Sequence, residues 1–226
     1  MLERKITKSI EHWYKSNTQT GLLIDGARQI GKTTIIREFL NSNKINFIEI
    51  NLLEDSLARN AFDSSTSEEQ LLLRLSSISN KKLIKNKTVV FIDEIQEAND
   101  AITPIKFLVQ NTDYRFIFSG SLLGIKMNDI LSMPVGFLTT LQMYPMDFEE
   151  FAKAIGVSGK TFKHLKECFE KKTKVDDIIN KQMMNLFNVY LVVGGMPKAV
   201  KRFVETNDIN IVNQILDDID KGYKED

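Results

Sequence analysis

With 226 residues, 42% of them hydrophobic, the chain is long enough to bury one sizeable core and a smaller annex. Thirty basic and thirty acidic side chains cancel, which excludes a global field that would steer the chain toward nucleic acid or a membrane surface. The single cysteine, Cys168, excludes an internal disulfide and fits a reducing, cytoplasmic setting, and no apolar stretch is long enough to span a bilayer.

The N-terminus lacks the apolar core of a signal peptide. Leu2, Ile6, Ile10 and Trp13 fall instead on one face of an amphipathic helix leading into the first strand. Leu22-Leu23-Ile24 is a short apolar run of the kind found in a buried parallel strand. Directly after it, Gly26-Ala27-Arg28-Gln29-Ile30-Gly31-Lys32-Thr33 fills the pattern G-x-x-x-x-G-K-[ST]. Thr34 to Leu40 continues with apolar residues at helical spacing. A strand, a glycine loop and a helix in this order aim backbone N–H groups at one point, which suits an anion. Gly26 and Gly31 let the backbone curl around it, Lys32 reaches the β- and γ-phosphate oxygens, and the Thr33 hydroxyl suits Mg²⁺.

Ile45 to Ile50 reads as a second strand, and Thr66-Ser67-Glu68-Glu69 as a capping box opening a helix with Leu72, Leu75 and Ile78. Thr88 to Ile92 is an apolar run that ends in Asp93 and Glu94. One acid at a strand end is an ordinary solvated turn. Two acids there, downstream of a phosphate loop, read as hydrolytic: Asp93 holds Mg²⁺ through water and Glu94 polarises an attacking water. A small-molecule kinase has no need of that glutamate. Asn99 to Gln110 is expected as a helix, with Pro104 in its first turn, followed by strands at Arg115–Phe118 and Leu138–Tyr144. Repeated strand–helix units imply an α/β domain over 1–145, with a parallel sheet and ligands at the carboxyl ends of its strands.

From Pro145 the pattern turns to helices alone, over 146–226. One starts at Asp147–Phe151, a second covers Lys160–Lys171 and a third Gln182–Val193. Gly194-Gly195 ends the third, and Pro197 begins the next. The last helix, capped by Thr206 or Asn207, carries Ile209, Val212, Ile215, Ile219 and Tyr223 on one stripe. It stops at Asp226 without a terminating glycine or proline, as a chain cut inside a larger protein would. His164 and Cys168 lie four apart, but two ligands do not make a zinc site. The lysines between 160 and 174, interleaved with Phe162 and Phe169, read as a solvated helix over buried phenylalanines in preference to a nucleic-acid face.

Five segments, Gly26–Thr33, Phe91–Gln96, Phe118–Gly124, Met143–Phe151 and Val193–Val200, occur in that order. With them the chain resembles, over nearly its whole length, the prokaryotic AAA-like ATPases that carry a poorly understood C-terminal domain. The resemblance implies a P-loop NTPase αβα sandwich with a parallel sheet of order 5-1-4-3-2, followed by a helical lid. In that family a further domain comes next, and the chain is expected to stop short of it. It implies ATP and Mg²⁺ as ligands and residues 26–34, from Gly26 through Lys32 and Thr33 to Thr34, as the nucleotide cradle. Ser119 takes a sensor role near the γ-phosphate, with Ser121 as the alternative and a helix-capping serine as the plainer reading. Gly194 to Pro197 resembles a lid segment that packs against adenine, and a simple helix break accounts for it equally.

One departure stands out. Related ATPases often complete their site with an arginine from a neighbouring subunit, whereas no arginine lies between Gly120 and Leu138. Lys126 is the only basic residue there, and Gly136-Phe137 stands where relatives carry glycine followed by arginine or lysine. Fast, ring-dependent turnover is therefore not expected. Two functions stay open: a Mg²⁺-dependent ATPase whose slow hydrolysis drives conformational change, and a non-motor, ATP-dependent switch regulating a protein or nucleic-acid partner. A homo-oligomer, or a protein bound through the lid or the further domain, are the expected assemblies, with no membrane.

Overall fold

The apolar runs of the first half become the strands of one sheet. A computed structural model of the chain describes residues 2–16, 18–65, 67–98, 102–121 and 136–225. Strands β1 (Gly21–Asp25), β2 (Asn46–Asn51), β3 (Thr88–Asp93), β4 (Arg115–Gly120) and β5 (Leu138–Gln142) pair in the order β2-β3-β4-β1-β5. Every pairing is parallel. Read from the other edge, this is the expected 5-1-4-3-2. Strands β1 and β3 are buried at every position because they have strand neighbours on both sides, while edge strands β2 and β5 are only partly covered.

The same unit holds α1 (Ile6–Lys15), α2 (Lys32–Ser42), α3 (Ser56–Ser64), α4 (Glu68–Ser79) and α5 (Ile102–Asn111). One core cluster joins Ile48, Val90, Ile92, Phe116 and Phe118 of the sheet to Phe62 of α3, Leu71, Leu72 and Leu75 of α4, and Ile105 and Leu108 of α5. Ile10, Trp13, Ile36, Phe39 and Leu40 bury the inward faces of α1 and α2.

Several local expectations are corrected here. Helix α1 begins at Ile6, so Leu2 is not on it and packs instead with the helical unit described below. Helix α3 was not anticipated; the Asp55 carboxylate accepts from the N–H groups of Leu57 and Ala58 and starts it. The N-cap of α4 is Ser67, accepting from Gln70 N at 3.2 Å, in place of the box starting at Thr66, which lies outside the described residues. The helix expected from Asn99 is described from Ile102, residues 99–101 also lying outside.

By its internal contacts the chain divides into two compact units, Ile6–Met143 and Met1–Lys5 with Tyr144–Asp226. The second is helical: α6 (Phe148–Ala154), α7 (Gly159–Lys171), α8 (Asp177–Val193), α9 (Pro197–Thr206) and α10 (Ile209–Glu225). Its core gathers Met146, Phe151, Val193, Ala199, Val200, Phe203 and Val212. Asp147 and Glu150 form a reciprocal capping box at the start of α6. Glu150 also accepts from Arg4 Nε at 3.1 Å and from the Lys5 backbone at 2.6 Å, which fastens the first residues of the chain to α6.

Helix α8 starts at Asp177, ahead of the expected Gln182, because the Asp176 side chain caps Ile178 and Ile179. The cap of α10 is neither Thr206 nor Asn207. Asn207 closes α9 in a left-handed conformation (φ 51°), and Asp208 Oδ1 accepts from Asn210 N at 2.8 Å. On α10, Val212 and Ile219 are buried, but Ile209 and Tyr223 stay 41% and 39% exposed, and Leu216 joins the packed face. On α7, Phe162 meets Phe148 edge-on, whereas Phe169 is 84% exposed, contrary to its expected burial. Lys163 and Lys166 of that helix pair with Glu167 and Glu170 one turn on, as on a solvated face.

Candidate functional site

Strand β1 ends at Asp25 and the chain turns sharply through the glycine loop into α2. The turn admits only glycine at position 26: φ is +157°, and a Cβ there would meet the Met143 carbonyl oxygen at 2.2 Å. Gln29 at the loop apex is left-handed (φ 62°), as is Gly31 (φ 92°), and the fully buried Ile30 side chain anchors the loop from beneath. Gly31 is the N-cap of α2 and brings no side-chain cap, so the first N–H groups of that helix are offered to whatever the loop encloses. Ala27 and Arg28 are half-buried in the loop, and Thr34 is exposed on the first turn of the helix.

Lys32 lies almost wholly buried under the loop and donates to the carbonyls of Gly26 (2.9 Å) and Ala27 (2.8 Å). Burial pulls its amine below the ordinary lysine value, against the opposing charges of Glu94, Asp93 and Asp25. Asp93, at the end of β3, is buried and accepts two hydroxyl hydrogen bonds. Thr33 Oγ1 donates to its Oδ2 at 2.7 Å, and Ser119 Oγ, near the end of β4, donates to its Oδ1. The sheet order makes this possible by laying β4 between β3 and β1. Asp25 accepts from Gln142 Nε2 of β5 at 2.7 Å, another buried acid at the same ends of the strands.

Glu94 follows Asp93 in a left-handed conformation (φ 55°) and opens one turn of 3-10 helix, Ile95–Glu97. Its Oε2 accepts from Gln96 Nε2 at 2.5 Å. The structure thus brings Lys32, Thr33, Asp93, Glu94 and Ser119 to one end of the sheet. Gln96, Asp25 and Gln142 join them, and sequence reasoning had not singled these out. Gln96 closes the Phe91–Gln96 segment, and its spacing of two from Glu94 is the sequence signal for it.

Ser121 enters through its backbone, donating N–H to Gln96 Oε1 at 3.3 Å. Residues 122–135, with Lys126, lie outside the described residues. Pro197 is the first residue of α9, in the helical unit. Of the glycines before it, Gly194 ends α8 with φ 71° and Gly195 serves that unit's own packing: a Cβ on Gly195 would meet the Met146 carbonyl oxygen at 2.2 Å, and Met146 N donates to Gly195 O at 2.7 Å.

A cavity of about 600 Å³ opens at the amino ends of β1 and β4, beside Tyr14, Thr20 and Arg115. Arg115 is committed there to closing α1, donating to the carbonyls of Trp13 (2.9 Å) and Tyr14 and lying over the Trp13 ring. The described residues hold no group of three or more metal-ligating side chains of the His, Cys, Asp and Glu types. His164 Nε2 and Cys168 Sγ are 3.6 Å apart without a third partner of that kind. No described helix is long and apolar enough to cross a membrane.

The sequence model of one protein family, the AAA domain, matches residues 18–152. No curated protein matches the chain. Among solved structures, the Orc1 protein of Aeropyrum pernix, in complex with DNA, is similar at 15% identity and a TM-score of 0.41, over 66% of this chain and 46% of its own. A mutant of Thermotoga maritima RuvB is similar at 14% identity and a TM-score of 0.49, over 91% of this chain and 62% of its own. The chain thus spans less than two thirds of the length of either structure.

Proposed function

The chain belongs to the AAA-domain family of P-loop ATPases, and on that premise we propose that it binds ATP with Mg²⁺ and hydrolyses it slowly, coupling turnover to conformational change. The observation that carries this reading is the cluster beneath the glycine loop: Lys32 held by the loop carbonyls, and Asp93 shared by Thr33 and Ser119. A buried amine and an uncapped helix start are costly in the free protein and are offset when phosphate oxygens replace the carbonyls as acceptors.

In this reading Gly26, Ala27, Arg28, Gln29, Ile30, Gly31 and Thr34 wrap the phosphates with backbone N–H groups, and Lys32 contacts the outer two. The Thr33 hydroxyl would hold Mg²⁺ directly, and the Asp93 carboxylate, which accepts from that hydroxyl at 2.7 Å, would hold it through water. Bound there, the cation would supply positive charge against the phosphates. Glu94 polarises the attacking water, and Ser119 keeps Asp93 oriented. Pro197 beside adenine, assembly into a homo-oligomer, a protein partner and a cytoplasmic setting are further proposals of the same reading.

A second reading, ATP as a switch that gates a partner, is favoured by one sequence observation, the missing arginine between Gly120 and Leu138. The test replaces Glu94 by Gln. ATP should remain bound in Glu94→Gln, measured by calorimetry, while turnover falls about 100-fold or more. Unchanged turnover would remove Glu94 from the mechanism.

A further inference from the structure

We propose that Gln96 is a positioning residue that fixes the carboxylate of Glu94 by strapping it to the end of β4. The inference rests on the hydrolytic role assigned to Glu94 above. Gln96 sits on the 3-10 turn that follows Glu94, and its amide makes two hydrogen bonds in opposite senses. Nε2 donates to Glu94 Oε2 at 2.5 Å, and Oε1 accepts from the Ser121 backbone N–H at 3.3 Å. Neither contact can be reversed. A backbone N–H only donates and an ionised carboxylate only accepts, so the amide has one permitted orientation. Of the side chains this long, only glutamine carries a donor and an acceptor on one rigid group.

The end of β4 is shaped around this amide. A Cβ on Gly120 would lie 2.5 Å from Gln96 Oε1 and 3.2 Å from Ile95 Cγ2, so glycine at 120 leaves the space the strap occupies. Gly120 has no positive φ that would call for glycine on backbone grounds. Its lack of a side chain is explained by the neighbour. Glu94 needs such a restraint because it stands just past the strand, in a left-handed turn, where sheet pairing no longer holds the backbone. Tying one carboxylate oxygen fixes the plane of the group and leaves the other to act on water. Supporting partners of this kind change activity by about 10- to 100-fold in metal sites, where the same orienting logic holds.

The experiment uses three variants of the full chain. Gln96→Met keeps length without polar ends, Gln96→Glu keeps the acceptor but sets a like charge against Glu94, and Gly120→Ala pushes the amide aside without altering either partner. Each should lower kcat for ATP about tenfold while leaving the ATP dissociation constant and the melting temperature near wild type. In a Glu94→Gln background, Gln96→Met should have no further effect on kcat. Unchanged kcat in all three, a raised kcat, or a loss seen only in KM would overturn the positioning role. A readout independent of turnover is the Gln96 side-chain amide in ¹⁵N spectra, which should be protected from exchange in wild type and lose protection in Glu94→Ala. An unprotected amide sinks the strap alone. No turnover by wild type, with the amide protected, sinks the ATPase reading and the kinetic role together.

Discussion

Both units bury charge, and they treat it in opposite ways. In the sheet unit the buried charged groups, Asp25, Lys32 and Asp93, stand together at the carboxyl ends of the strands. Left-handed Gln29 and Glu94 occupy the loops beside them. Among the described residues, Lys32 donates to the loop carbonyls of Gly26 and Ala27. In the helical unit the buried charges, Arg4 and Glu150, form an ion pair, and the Arg4 guanidinium also donates to the Tyr144 carbonyl at 2.6 Å. There the left-handed residues Lys172 and Asn207 merely end helices. Removing one partner of the Arg4–Glu150 pair would strand a buried charge, whereas the Lys32 amine is matched only by carbonyl dipoles.

The largest expected effect tests the helical half of that contrast. Arg4→Ala leaves Glu150 buried beside an empty place, and should lower the unfolding free energy of the helical unit by about 3–5 kcal/mol. Denaturant unfolding monitored at Tyr190, which lies in that unit's aromatic cluster, reports it. A loss below about 1 kcal/mol would place the pair among ordinary surface bridges.

Lys32→Ala is the counterpart. It should weaken ATP binding about 100-fold, near 3 kcal/mol, as expected for losing charge-assisted contacts to phosphate. The melting temperature should stay level or rise, since a desolvated amine is removed. A variant that both unfolds and loses nucleotide would erase the distinction between the two halves.

The same lysine predicts a pH dependence. Burial depresses its pKa in the folded protein, so between that value and 10.5 the unfolded chain binds more protons and stability of the free protein rises with pH. ATP affinity should move the other way, falling as the amine deprotonates and beginning to fall below pH 10.5. Calorimetry across that range, with Lys32→Ala as the control that loses the dependence, checks both signs. The smallest effect concerns a helix end. Asp208→Ala removes the acceptor for Asn210 N and should cost about 1 kcal/mol, seen as faster hydrogen exchange in the first turn of α10.

Much of the fold was legible because its signals are short-range. Strands β1 and β3 lie inside the sheet and must be apolar at every position, so Leu22–Ile24 and Val89–Ile92 announce themselves. The phosphate loop is eight consecutive residues whose chemistry is mostly backbone, so the pattern Gly26 to Thr33 suffices to read it. Helix ends were harder. Thr206, Asn207 and Asp208 are all competent caps, and only the backbone conformation selects Asp208 by spending Asn207 on the end of α9. The start of α8 at Asp177 and the whole of α3 were missed for the same reason, since each is set by an aspartate whose local competitors look equivalent.

By itself, then, the sequence determined the order of the five strands, the helices other than α3, the phosphate loop and the acids Asp93 and Glu94. Tertiary structure alone decided which groups meet. Ser119 reaches Asp93 across 26 residues, and Arg4 reaches Glu150 across 146. Gln96 finds the Ser121 N–H only because β4 lies next to β3, and Phe169 stays in solvent because α7 turns its other face to Phe148. Periodicity shows which residues are apolar and at what spacing. The neighbour that completes a carboxylate or covers a ring is set by how the elements pack, which no local pattern encodes.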